Sequence, residues 1–221
     1  MAEETDQQAP ERFRRRLNQA DLERMRIPRR FWSATYAEVS DEKEGDGARS
    51  MRDYAGQYLS NLDAMLDRGI GLFLWGNNGL GKSSVAAVVL MEARRRGFTG
   101  LFLEAATLKT VVIEKTMFDD DTTLWERAKQ VDLLVIDDLG KGVQDEKGFG
   151  ERLIDEVVRH RAAQMRATWI TTNMSPKEFQ EQYKVSTFAA MKEAIVPVRA
   201  RGSDRRIETR DQLTRLFGSN G

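Results

Sequence analysis

Apolar positions along this chain follow two rhythms. Five runs have the length of β-strands: Gly71 to Trp75, Leu101 to Leu103, the stretch from Val131 to the carboxylates Asp137 and Asp138, Ala167 to Thr172, and Ile195 to Val198. Elsewhere the apolar residues recur at three- and four-residue steps, the spacing of one helix face. Ala48 to Arg68 shows this over Met51, Tyr54, Ala55, Tyr58, Leu59, Leu62, Met65 and Leu66, and predicts one long helix stopped by Gly69. Val85, Ala86, Val88, Val89, Leu90 and Ala93 predict a second. Further helices are predicted over Ala105–Lys115, Thr122–Lys129, Glu151–Met165, Pro176–Tyr183 and Thr187–Ala194. Glu11 to Met25 predicts a basic helix, with Phe13, Leu17 and Leu22 on one side among arginines. It either docks on a partner or nucleic-acid backbone, or packs on the domain as a solvated helix. Ile27-Pro28 ends it, because the residue before proline avoids helical dihedrals. Phe31, Trp32 and Tyr36 follow, either as packing groups or as a platform for a nucleotide base.

One boundary between the two rhythms carries chemistry. Gly76-Asn77-Asn78-Gly79-Leu80-Gly81-Lys82-Ser83, followed by Ser84, fits G-x-x-x-x-G-K-[ST]. An apolar strand precedes it and an amphipathic helix follows, the context that makes the motif a phosphate-binding loop. Glycines let backbone N–H groups approach an anion, and the helix N-terminus adds a positive field. Lys82 supplies a charge for the β- and γ-phosphates, and the Ser83 hydroxyl is a candidate Mg²⁺ ligand. ATP with Mg²⁺ is the ligand this pattern predicts.

The third strand ends in Asp137-Asp138. In an open parallel sheet ligands bind at the carboxyl ends of the strands, so this pair is predicted beside the loop. Asp137 is then the metal-holding residue, and Asp138 the one that polarises the attacking water. Asn173, just past the fourth strand, is predicted to hydrogen-bond that water or the γ-phosphate, although Ser175-Pro176 also makes it a natural turn residue.

Bulk properties narrow the classes. The chain has 221 residues, 40% hydrophobic and 32% charged, enough for one domain plus an appendage. Formal net charge is zero, so any nucleic-acid contact must come from a local patch. With no cysteine and one histidine, His160, disulfides, thiolate zinc sites and a histidine-built metal site are excluded. No run has membrane-spanning length and the N-terminus is charged, which predicts a cytoplasmic protein without a membrane partner.

Taken in order, Ile27-Pro28, the glycine loop, Val135-Ile136-Asp137-Asp138-Leu139-Gly140-Lys141, His160-Arg161 and Thr171-Thr172-Asn173 resemble the AAA+ replicative-helicase loaders of the DnaC/DnaI type and their relatives, the IstB-type transposition helpers. The resemblance covers about residues 27 to 206. It implies a P-loop αβα sandwich with a central parallel sheet and a lid that is reduced or absent. The implied division is a basic N-terminal extension and linker (1–47), the ATPase domain (48–206) and a tail (207–221). It implies slow or partner-stimulated ATP hydrolysis by Lys82, Asp138 and Asn173, the last as the sensor residue. The implied partners are a hexameric replicative helicase and single-stranded DNA, and a homo-oligomer is possible. DNA contacts are expected at Lys109, Lys115 and Phe118. The helix before the last strand lacks the arginine such proteins carry, so Arg161, Arg199 and Arg206 become the candidate inter-subunit or sensor arginines. Two other readings remain open: a transposition helper serving a transposase, and a nucleotide-gated adaptor with little turnover.

Overall fold

The computed structural model describes residues 16–43, 45, 47–107, 122–140, 149–183 and 185–204. Five parallel strands form its centre: β1 (Gly71–Trp75), β2 (Gly100–Glu104), β3 (Leu133–Asp137), β4 (Ala167–Thr172) and β5 (Ile195–Arg199), in the spatial order β2-β3-β4-β1-β5. The helices are α1 (Gln19–Arg24), α2 (Met51–Ser60), α3 (Leu62–Asp67), α4 (Lys82–Arg95), α5 (Thr122–Gln130), α6 (Phe149–Ala163), α7 (Pro176–Gln182) and α8 (Val185–Ala194).

Alternation along the strands builds two cores. Leu72, Leu74, Phe102, Leu133, Val135, Ala167 and Trp169 face α2 and α4. Phe73, Leu101, Leu103, Leu134, Ile136 and Ile170 face α5 to α8. Trp169 meets Tyr58 edge-on at 4.9 Å on the first face; Phe73 meets Phe179 edge-on at 5.3 Å on the second. This is the predicted αβα sandwich. Both edges are guarded. Pro197 sits in edge strand β5. On the other edge Phe102 N–H donates to Met25 O at 2.8 Å.

The long helix predicted over 48–68 is two. Asn61 leaves helical dihedrals at φ −115°, ψ 27°, and its amide caps Gln57 O at 2.9 Å. The start of α2 is fixed by a capping box between Ser50 and Asp53. Gly69 ends α3 as predicted. Its φ is +66°, and a Cβ there would lie 2.5 Å from the Met165 backbone.

The basic helix predicted over 11–25 begins at Gln19, within the described residues, because Asn18 forms a capping box with Asp21. Arg94 then pairs with the buried Asp21 at 3.1 Å, tying α1 to α4. Met25, Ile27 and Val39 are buried in the first core, and Phe31 and Trp32 pack against it. Residues 25–39 therefore share the first core across the boundary expected at 47/48; Phe31 and Trp32 act as packing groups, whereas Tyr36 is exposed. Residues 1–15, Lys109, Lys115, Phe118 and 205–221, with Arg206 and the tail expected at 207–221, lie outside the described residues.

Candidate nucleotide-binding site

The site lies where β1, β3, β4 and β5 end. β1 lies between β4 and β5, so its carboxyl end is flanked on two sides by strand ends. The glycine loop turns there with Gly76 at φ +139°, Gly79 at +80° and Gly81 at +82°, conformations open to glycine. Gly81 is the N-cap of α4, and no side chain caps that N-terminus. The first-turn N–H groups and the helix field are thus left to an anion, which fits a triphosphate.

Lys82 is 7% exposed. Its Nζ donates to Gly76 O at 2.8 Å, Asn77 O at 2.7 Å and Asn173 Oδ1 at 3.0 Å. The phosphate-loop lysine and the residue past β4 are therefore in direct contact. The amide that gives its oxygen to Lys82 keeps its NH₂ as a donor, and Asn173 lines the adjoining cavity.

Asp137 is 2% exposed at the end of β3. Thr171 Oγ1 donates to its Oδ1 at 2.5 Å. Burial pushes the Asp137 carboxyl above the ordinary aspartate range; hydrogen bonds from Thr171 and Ser83 and the charge of Arg30 pull it down, and Asp138 pushes it up. A buried carboxylate beside the Ser83 hydroxyl is the donor set of a hard divalent cation, so the residues present fit Mg²⁺. Asp138 is exposed just past the carboxyl end of β3, with φ +53° and its N–H donating to Thr171 Oγ1 at 3.0 Å.

A cavity of about 510 Å³ opens beside the loop, lined by Gly76, Asn77, Leu80, Asn173, Arg199 and Arg201, among others. That size suits a nucleotide-class ligand. Arg199 lies over the Trp75 ring at 5.0 Å, which places it in the cavity wall with Asn173. From the C-terminal side, Asp204 packs its carboxylate against Gly79. Ser40 Oγ donates to Arg201 O at 2.9 Å, and Ser203 N–H donates to Glu42 Oε1 at 3.1 Å. The linker at 40–42 and the segment at 201–204 thus close over one side of the loop.

Arg161 corrects an expectation. It is 0% exposed, and its guanidinium donates to Thr168 Oγ1 and to the carbonyls of Ala128, Val131 and Ala167 at 2.6–3.0 Å. It joins α6, the end of α5 and β4, and is not presented to a neighbouring molecule. Nothing local in the chain foretells this, since the partners of Arg161 lie on other elements. Thr171 and Trp75 were also missed. Each passes in sequence for an ordinary strand residue, and only strand pairing reveals the contacts.

The sequence matches the family described as IstB-like ATP binding protein over residues 2–197. The chain belongs to the IstB-like ATP-binding family. Among curated relatives of this family member, the replicative helicase loader DnaC of Escherichia coli (strain K12) is 30% identical over 140 residues, 61% of this chain and 54% of that protein. The replicative helicase loader DnaI of Bacillus subtilis (strain 168) is 28% identical over 127 residues, 54% of this chain and 38% of that protein. The chain's matches thus span about half or less of these relatives' length. In fold it resembles the crystal structure of the DnaC helicase loader, with a TM-score of 0.65 and 19% identity over 79% of this chain and all of that one. It also resembles the replication initiator DnaA bound to AMPPCP and single-stranded DNA, with a TM-score of 0.61 and 16% identity over 84% of this chain and 55% of that one. The αβα fold with a central parallel sheet, read from the motifs, is thereby shown.

Proposed function

We propose that this chain binds ATP with Mg²⁺, hydrolyses it slowly, and acts in DNA replication by loading a replicative helicase onto single-stranded DNA. The observation that carries the ATPase reading is the convergence of Lys82, Asn173 and the Thr171-held Asp137 beside an uncapped helix N-terminus. The amide groups of residues 76–84 cradle the phosphates. Lys82 exchanges its loop carbonyls for phosphate oxygens. Ser83 and Asp137 would hold Mg²⁺, which would supply neutralising charge at the phosphate oxygens. Asp138 orients the attacking water and accepts its proton, and the Asn173 NH₂ fixes the water or the γ-phosphate. Arg199, in the same cavity wall, is the candidate arginine among the described residues.

The client follows from the relatives named as helicase loaders. On this reading residues 1–47 dock the helicase, Lys109, Lys115 and Phe118 contact single-stranded DNA, and the protein works in the cytoplasm, in a homo-oligomer if Arg199 serves a neighbour's nucleotide. Among the described residues no helix is long and apolar enough to cross a membrane. A transposase client remains the second reading, because the matching family is named for IstB. The test has two parts. Lys82→Ala is compared with wild type in nucleotide binding and phosphate release, and equal activity overturns the ATPase reading. A pull-down then separates the clients: a hexameric helicase supports the loader, a transposase removes it.

A further inference from the structure

We propose that Thr171 is the positioning residue of this site, one hydroxyl that sets both carboxylates of the Asp137-Asp138 pair. The inference rests on the ATPase reading above and gives a role to Thr171, to which the motifs assign none.

β3 and β4 run side by side with Ile136 paired to Ile170, so the next pair in register is Asp137 with Thr171. Both side chains lie on the face that carries Val135 and Trp169, the face packed on α4. Every other β4 residue on that face is apolar: Ala167 and Trp169 are both 0% exposed. Thr171, 1% exposed, puts a hydroxyl where the pattern calls for hydrocarbon. A buried hydroxyl needs partners, and here its hydrogen and one lone pair are both used. The hydrogen goes to Asp137 Oδ1 at 2.5 Å, and the lone pair takes Asp138 N–H at 3.0 Å.

The second bond matters because Asp138 has φ +53°. A non-glycine residue there is disfavoured and persists only when its surroundings impose it. Extended backbone at Asp138 would continue the alternation of Leu134 and Ile136, toward the face away from α4. The left-handed turn ends that alternation at the carboxyl end of β3. Two contacts from β4 impose it: Thr171 Oγ1 on the Asp138 N–H, and Thr171 O on the Leu139 N–H at 2.9 Å. The Thr172 hydroxyl donates to Leu139 O and extends the clamp. Thr171 thus aims Asp137 at the metal position through its hydrogen and holds the turn that presents Asp138 through its lone pair. Partners of this kind behind a metal ligand are worth about 10–100-fold in metal affinity or activity.

Thr171→Val keeps the branched shape and removes the hydroxyl; Thr171→Ser keeps the hydroxyl. Three readouts are compared. First, amide hydrogen exchange of nucleotide-free protein should show the Asp138 N–H protected in wild type and T171S and exchanging at least about tenfold faster in T171V. Second, Mn²⁺ binding in the presence of ADP, followed by electron paramagnetic resonance, should weaken about 10–100-fold in T171V, with ADP affinity in EDTA unchanged. Third, kcat for ATP should fall by a similar factor in T171V and return to within about threefold in T171S. A merely structural role would move stability and all affinities together. An unprotected Asp138 amide in wild type, a T171V protein with wild-type Mn²⁺ affinity, or a T171S protein that fails to rescue overturns the proposal. Should T171V not fold, the wild-type exchange rate and T171S still decide it. If wild type binds no nucleotide, the ATPase reading fails, and the exchange measurement still judges Thr171 on its own.

Discussion

Asn173→Ala separates two roles that the contact with Lys82 assigns to one side chain. In the nucleotide-free protein Lys82 Nζ donates to Gly76 O, Asn77 O and Asn173 Oδ1. A nucleotide must draw the ammonium from them. A hydrogen bond to a charged group contributes about 1.5–3 kcal/mol when buried, but Asn173 is exposed, and water replaces part of its loss. Removing it should therefore cost the resting state about 1 kcal/mol, and ADP, which has no γ-phosphate for Asn173 to meet, should bind about fivefold tighter. Turnover should move the other way. Losing one donor aimed at the reacting group lowers kcat by about 10²-fold. Fluorescent-ADP titration and phosphate release on the same preparation give both numbers. A variant that binds ADP more weakly while keeping wild-type turnover would refute the coupling of Lys82 to Asn173 and the role of the amide.

The remaining predictions concern the frame of the site. Arg161→Met leaves the carbonyls of Ala128, Val131 and Ala167 buried without their donor; at about 1–3 kcal/mol each the loss is at least about 3 kcal/mol, read from the urea midpoint, and a shift worth under 1 kcal/mol would contradict it. Tyr58→Phe removes a 2.7 Å bond to Ile70 O just before β1 and should cost about 1 kcal/mol by the same assay, with no change refuting it. Asp137 gives a pH dependence. Burial raises its folded pKa, so its contribution to stability is present below the unfolded value and lost as pH rises through the folded one. In metal-free protein Asp137→Asn should therefore raise Tm at pH 7, and the gain should shrink toward pH about 4; a gain that is absent or independent of pH would contradict the assigned cause.

The elements of the sheet were legible because burial on both faces writes itself as continuous apolar runs, and β1 to β5 all lie where those runs stand. The loop and the Asp137-Asp138 pair were legible for a different reason: phosphate chemistry demands particular residues at fixed spacing. What escaped depends on contacts between segments far apart in sequence. Asn61 breaks a helix whose apolar spacing runs on across it. Arg161 looks like a surface cation until β4, α5 and α6 close around it. Thr171 looks like any β-branched strand residue until β3 is laid beside it. Residues 25–39 group with the N-terminal extension in sequence, because scattered apolar residues show no rhythm, yet Met25, Ile27 and Val39 belong to the first core.

The account stands on a triphosphate being held by the amides of residues 76–84, Lys82 and a cation at Asp137. Calorimetric titration of Mg²⁺-ATP into the wild-type chain and into Lys82→Ala tests this most directly. Saturable binding at one site in wild type, weakened at least about a hundredfold by the substitution, is the predicted result. No heat of binding in wild type, or equal affinity in both proteins, would contradict it.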